Sequence, residues 1–157
     1  MPNTLNLDPI DIRILGELQA DATLPVGGVA ARVNLSQNAC WRRIKLMEEA
    51  GIITGRVALL DPQKLGVGMT VFVQVKLMEH APEALEKFAR TVRELPEAVE
   101  FCRITGEYDY WLKLQVADIA AYDRVYKRLI QSIRLGDVRA CFAMEVLKRT
   151  TAIPLPT

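Results

Sequence analysis

The spacing of apolar residues divides the chain. Up to about residue 50 they recur three and four positions apart, as on helices; from residue 69 onward, two-residue alternation is interleaved with helical stretches. Asp8-Pro9 marks a helix start, because Asp8 suits the N-cap and Pro9 the first helical position, where a missing N–H costs nothing. Ile14, Leu15 and Leu18 follow at helical spacing, Ile10 and Ile12 add apolar surface, and the helix is expected to end near Asp21. A turn through Thr23 and Pro25 leads to a short helix over 25–33, striped by Val26, Val29, Ala30 and Val33. Gly27 and Gly28 weaken it by about 1 kcal/mol each relative to alanine, and Asn34 tolerates the left-handed backbone that ends it. Ser36 is a good N-cap for a third helix over 37–50, stopped by Gly51. Cys40, Ile44 and Met47, four and three apart, share its buried face.

The run 52–60 alternates weakly and predicts a strand, which Asp61-Pro62 breaks, and 61–68 reads as a linker. Val71, Val73 and Val75 alternate with Phe72, Gln74 and Lys76 in a strand over 69–78. Pro82-Glu83 opens a helix with Leu85, Phe88, Ala89 and Val92 on one face, ending near Leu95-Pro96. A strand over 99–105, a tight connection at Gly106 and a strand over 110–116 follow; Tyr110, Leu112, Leu114 and Val116 point one way, Trp111, Lys113 and Gln115 the other. Asp118 caps a helix running through Tyr122, Val125, Leu129 and Ile133, and the last strand is expected over 138–147. The order β-α-β-β-α-β is the ferredoxin-like pattern, an antiparallel sheet of four strands with both helices on one face. Its open face must be polar or meet a partner. Phe72, Phe101, Arg103, Trp111, Lys113 and Phe142 include candidates for that face, and their mixed apolar character predicts dimerisation through the sheet.

Composition narrows the function classes. With 157 residues, half of them hydrophobic and a quarter charged, the chain suits one ordinary domain or two small ones. No apolar run approaches the roughly 20 residues that span a bilayer, and the first eight residues lack the basic start and apolar core of a signal peptide. A cytoplasmic protein without membrane attachment is expected. Cys40, Cys102 and Cys141 are scattered and form no CxxC pair, and His80 has no neighbouring ligand residues; three packed cysteines, one surface histidine and no metal are expected. The net charge of +1 is uninformative, and residues 1–60 carry six basic and six acidic side chains, so what matters is where charges point.

On the third helix the outward face carries Gln37, Asn38, Trp41, Arg42 and Lys45. Asn and Gln read adenine, Arg and Lys read guanine and bind phosphate. Helix, short helix, a turn of about three residues at Asn34-Leu35-Ser36, and a helix with a polar, cationic first half match a helix-turn-helix. A solvated amphipathic helix would look similar, but a large indole on the outer face beside Arg42 asks for a partner.

Five signatures occur in order: Leu7-Asp8 with Asp11, Ile14 and Leu15; Leu35-Ser36 with Arg43-Ile44, Met47-Glu48, Gly51 and Ile53; Leu60-Asp61-Pro62 with Leu65-Gly66; Thr105-Gly106-Glu107-Tyr108-Asp109-Tyr110; and Lys148-Arg149-Thr150-Thr151. Together they resemble the Lrp/AsnC, or feast/famine, family of regulators over nearly the whole chain. Gly27-Gly28, Asn34 and Met47 depart from the family pattern without threatening the fold. The resemblance implies an α+β protein, an N-terminal winged helix-turn-helix over 1–60 followed, after the 61–68 linker, by a ferredoxin-like βαββαβ effector and oligomerisation domain over 69–157. It implies double-stranded DNA as partner, with Ser36, Gln37, Asn38, Trp41, Arg42, Arg43 and Lys45 at the interface. It further implies dimers that stack into octamers and an amino acid or related metabolite as effector, with no other cofactor. The effector-binding residues implied are Thr105, Gly106, Glu107, Tyr108, Asp109 and Tyr110, joined by Ala140 and Phe142 of the last strand. Gly106 would let backbone N–H groups approach a carboxylate, and Asp109 could accept from an ammonium group. Two other readings stay open: an architectural protein that wraps DNA with little effector dependence, and an enzyme of amino-acid metabolism, for which no catalytic constellation or phosphate loop is present.

Overall fold

A computed structural model describes residues 6–156, apart from the side chain of Ser132. The described residues form two compact units: one gathers those up to Ala58 together with the tail from Lys148, and the other runs Leu59–Leu147.

The first unit holds α1 (Pro9–Ala20), α2 (Val26–Arg32) and α3 (Gln37–Glu49). Asp8 caps α1 as expected: its carboxylate accepts the N–H groups of Ile10 and Asp11, at 2.8 and 2.9 Å, and the Asp11 carboxylate accepts the Asp8 N–H at 3.0 Å. This reciprocal capping box satisfies donors that the first helical turn leaves unpaired. Asn34 is left-handed, with φ 59°, and turns the chain between α2 and α3. Ser36 caps α3, accepting the Ala39 N–H at 3.3 Å. Ile14, Leu15, Val29, Ala30, Val33, Cys40, Ile44 and Met47 make the core.

One expectation fails in this unit. No strand forms over 52–60: Ile53 packs against the core, and 55–60 is exposed and unladdered. A weakly alternating run becomes a strand only where another strand satisfies its backbone groups. The tail over 148–156 packs with this unit. The Ile153 N–H donates to the Gln19 side-chain oxygen at 2.8 Å, the Gln19 amide donates back to the Ile153 carbonyl at 3.1 Å, and Leu155 joins the core.

In the second unit the expected linker is a turn, closed by the Val67 N–H donating to the Pro62 carbonyl at 2.9 Å, with Gly66 at φ 73°. Then come β1 (Met69–Leu77), α4 (Pro82–Arg93), β2 (Ala98–Arg103), β3 (Tyr110–Val116), α5 (Ile119–Ser132) and β4 (Leu135–Phe142). The sheet order is β2-β3-β1-β4 with all neighbours antiparallel, the expected ferredoxin-like arrangement. Val71, Val73, Val75, Leu112 and Leu114 bury against Phe88 and Val92 of α4 and Val125 and Leu129 of α5. β4 starts and ends earlier than its sequence pattern suggests. Its ladder with β1 runs as far as Phe142 opposite Val71, one further bond joins the Ala143 N–H to the Thr70 carbonyl at 3.0 Å, and 144–147 pairs with no strand.

The register corrects the list for the open face. Directly paired residues share a side, so Phe101 opposite Leu112, Arg103 opposite Tyr110 and Phe142 opposite Val71 lie on the helix side. Phe101 stacks on Tyr110 with centroids 5.2 Å apart, and Phe142 meets Tyr122 edge-on at 5.3 Å. On the open face Phe72 stacks on Trp111 at 5.7 Å, beside an ion pair of Lys113 with Glu100.

Candidate nucleic-acid interface and effector loop

The face of α3 opposite Cys40, Ile44 and Met47 presents Gln37, Asn38, Trp41, Arg42 and Lys45 to solvent. Trp41 stays 51% exposed. Lys45 donates to Glu48 at 2.9 Å, and Arg56 reaches the other Glu48 oxygen at 3.0 Å. The hydrogen bond from Lys45, aided by the charges of Lys45 and Arg56, holds the Glu48 carboxyl below its usual range. Such exposed pairs contribute at most about 1 kcal/mol each, so Lys45 remains available to another anion. Ser36 is committed to its cap. Burial pushes the Cys40 thiol up, so beside the exposed indole it is a packed hydrophobe.

Arg43 departs from the expected grouping. Its Nη1 donates to Asp8 Oδ2 at 2.6 Å and to Asp11 Oδ1 at 2.8 Å, so the guanidinium turns onto the start of α1 instead of joining the outward face. The Asp11 N–H first, and Arg43 next, hold the Asp8 carboxyl below its ordinary value.

The β2–β3 loop is built from one end of the sheet. Gly106 has φ 126°, a backbone open to glycine and strained for other residues, and Thr105, Gly106 and Glu107 are exposed. Asp109 locks the loop to β1: its N–H donates to the Val75 carbonyl at 3.0 Å, its Oδ2 accepts the Leu77 N–H at 2.7 Å, and its Oδ1 meets His80 Nε2 at 2.8 Å. Burial opposes ionisation of Asp109, but the Leu77 N–H, His80 and the charge of Arg103 outweigh it and hold the carboxyl low. Tyr108 is buried, and its hydroxyl donates to Asp137 Oδ2 at 2.7 Å while the Arg139 guanidinium sits 5.2 Å from its ring centre. The bond to Asp137 raises the Tyr108 phenol and lowers the Asp137 carboxyl.

The structure thus ties the loop to Asp137 and Arg139, residues that sequence reasoning left out, and gives His80 a partner. Neither link had a local signal: 29 positions separate the members of each pair. Three proposed effector residues lie on the helix side of the sheet, Phe142 among them still exposed. Tyr110 packs between Phe88 and Phe101, Ala140 packs against the same core cluster, and Phe142 lies against Tyr122. Alternation along β3 and β4 sends these three to the helix side. Among the described residues no three His, Cys, Asp or Glu side chains could share a metal ion, and no helix is long and apolar enough to cross a membrane.

Comparison with known proteins finds a family match in each part of the chain. A family described as winged helix-turn-helix DNA-binding matches residues 7–54, and the Lrp/AsnC ligand binding domain matches residues 70–153. The glutamate uptake regulatory protein of Zymomonas mobilis is 52% identical over 150 residues, covering 96% of this chain and 92% of that protein. The crystal structure of an AsnC family transcriptional regulator from Agrobacterium tumefaciens superposes with a TM-score of 0.91 at 50% identity, covering 94% of this chain and 97% of the other. A transcriptional regulator from Neisseria meningitidis, solved as its L-Met complex, gives a TM-score of 0.89 at 36% identity, covering 94% and 96%. The helix-turn-helix, the βαββαβ sheet and these relatives lead to one conclusion: the chain belongs to the Lrp/AsnC family of DNA-binding transcriptional regulators, with a small-molecule-binding domain and not a catalytic one.

Proposed function

We propose that the outward face of α3 enters the major groove of double-stranded DNA and reads an operator there. The observation that carries this is the half-exposed Trp41 grouped with Gln37, Asn38, Arg42 and Lys45 directly after the tight turn capped by Ser36. Gln37 and Asn38 offer the paired donor and acceptor that adenine requires, and Arg42 and Lys45 offer donors to guanine or phosphate. Trp41→Ala and Arg42→Ala are each expected to abolish the shift of an operator duplex in a native gel while leaving the far-ultraviolet spectrum unchanged. Normal shifts by both variants would remove α3 as the reading helix.

The effector in this proposal is an α-amino acid, held at the β2–β3 loop. Thr105, Gly106 and Glu107 are exposed, and their backbone N–H groups are the donors for its carboxylate. Each Asp109 oxygen accepts one hydrogen bond already and keeps a second lone pair for an ammonium group. The L-Met complex of the Neisseria relative supports this class of ligand. Thermal-shift screening of the twenty amino acids, L-Met and L-Glu among them, tests it, because a bound ligand raises the melting temperature by mass action; a flat panel counts against the proposal. Assembly completes it: the Phe72–Trp111 face pairs with a second copy, dimers gather into octamers, and the protein works in the cytoplasm. Trp111→Arg is then expected to lower the sedimenting mass.

A further inference from the structure

Arg43 stands among the DNA-facing positions of α3, yet two carboxylates of another helix hold it. We infer that Arg43 is a positioning residue for operator recognition: clamped between Asp8 and Asp11, it sets the rotation of α3 and so the aim of the side chains that read bases. The inference rests on the proposed role of α3. Its basis is the contrast between the two kinds of contact that hold the helix. Cys40, Ile44 and Met47 bury one face of α3 in an apolar core, and apolar burial is non-directional, so it tolerates a small roll of the helix. The clamp is directional. One guanidinium nitrogen donates to Asp8 at 2.6 Å and to Asp11 at 2.8 Å. Both acceptors are themselves fixed, because Asp8 Oδ1 accepts two N–H groups of α1 while Asp11 Oδ2 accepts the Asp8 N–H. The reading helix is therefore registered against the capping box of α1. Bidentate base contacts need reading groups within about 0.5 Å of their target geometry, a tolerance that an apolar contact alone does not enforce. The neighbours Arg42 and Lys45 point outward, so Arg43 is the cation of this stretch turned to aiming.

The test separates aiming from contact. A duplex is first selected from a randomised library with the wild-type chain, and affinities for it and for mixed-sequence DNA are measured over a range of salt. Arg43→Gln is expected to lower the ratio of the two affinities at least tenfold and to leave the salt slope unchanged. A phosphate contact would instead reduce that slope by about 0.9. Asp11→Asn gives opposite signs for the two ideas. A DNA-contacting Arg43 released from its carboxylate should bind the selected duplex as well or better, whereas a positioning Arg43 loses its anchor, and the ratio falls as in Arg43→Gln. Asp8→Asn keeps a good N-cap and guards against a folding artefact; it should lower the ratio as well, with an unchanged melting curve, and Arg43→Lys should restore part of it. An unchanged ratio in Asp11→Asn and Asp8→Asn, or the reduced slope in Arg43→Gln, overturns the inference. If the wild-type chain selects no sequence, the DNA-reading proposal falls and the inference falls with it.

Discussion

Replacing Asp109 by alanine removes the anchor of the β2–β3 loop, and the structure sets the cost. The main loss is the charge-assisted hydrogen bond from the Leu77 N–H at 2.7 Å, in a residue that is only 3% exposed. Such bonds contribute about 1.5–3 kcal/mol, and a buried donor left unpaired carries a penalty of similar size. The His80 contact adds little, because that ring is half exposed, and exposed pairs contribute about 0–1 kcal/mol. Together these give about 2 kcal/mol, or a fall of about 10 °C in the melting transition of a unit this size. The assay is calorimetry at equal protein concentration, because binding between copies would make melting concentration-dependent. Asp109→Asn keeps an acceptor for Leu77 and should melt between the wild type and Asp109→Ala. The sign of the pH dependence is fixed as well. The folded carboxyl is held low, so its ionic contribution is present above the ordinary carboxylate range, near pH 4, and is lost as pH falls through the lowered value. The gap between wild type and Asp109→Asn should therefore close in acid. Melting of Asp109→Ala within about 2 °C of wild type, against the ~10 °C expected, would refute the reasoning.

Phe88→Ala empties the centre of the Phe88–Phe101–Tyr110 cluster and should cost about 3–5 kcal/mol, read as a lower urea midpoint. Leu155→Asp should release the tail from α1, seen as faster tryptic cleavage after Lys148 and Arg149. For Tyr108 the linkage runs the other way: its raised phenol contributes stability below the ordinary tyrosine range, near pH 10, and loses it as pH rises through the raised value. Tyr108→Phe should lack that alkaline loss while weakening the tie to Asp137, as followed by melting between pH 8 and 11.

The local elements were legible because each depends on nearby residues. The Asp8 and Ser36 caps, the left-handed turn at Asn34, the alternation of β3 and the helical face through Phe88 and Val92 are all written within a few positions. Even the outward face of α3 follows from helical periodicity once Cys40, Ile44 and Met47 are turned inward. Periodicity was enough for the fold class, and five short motifs carried the family resemblance.

Only the tertiary structure decided which partners distant residues take. Arg43 looks like another DNA-facing cation until residues 32 and 35 positions away supply its carboxylates. His80 looks isolated until folding brings Asp109 to it, and Tyr108 finds Asp137 in the same way. The run 52–60 has a strand's composition but no ladder, and the tail after Lys148 returns to α1 because Gln19 and Leu155 complete contacts that no local pattern announces. The reason is physical. Helix caps and side-chain alternation are properties of short segments, whereas ion pairs, strand ladders and apolar docking are made between segments and exist only after the chain has closed upon itself.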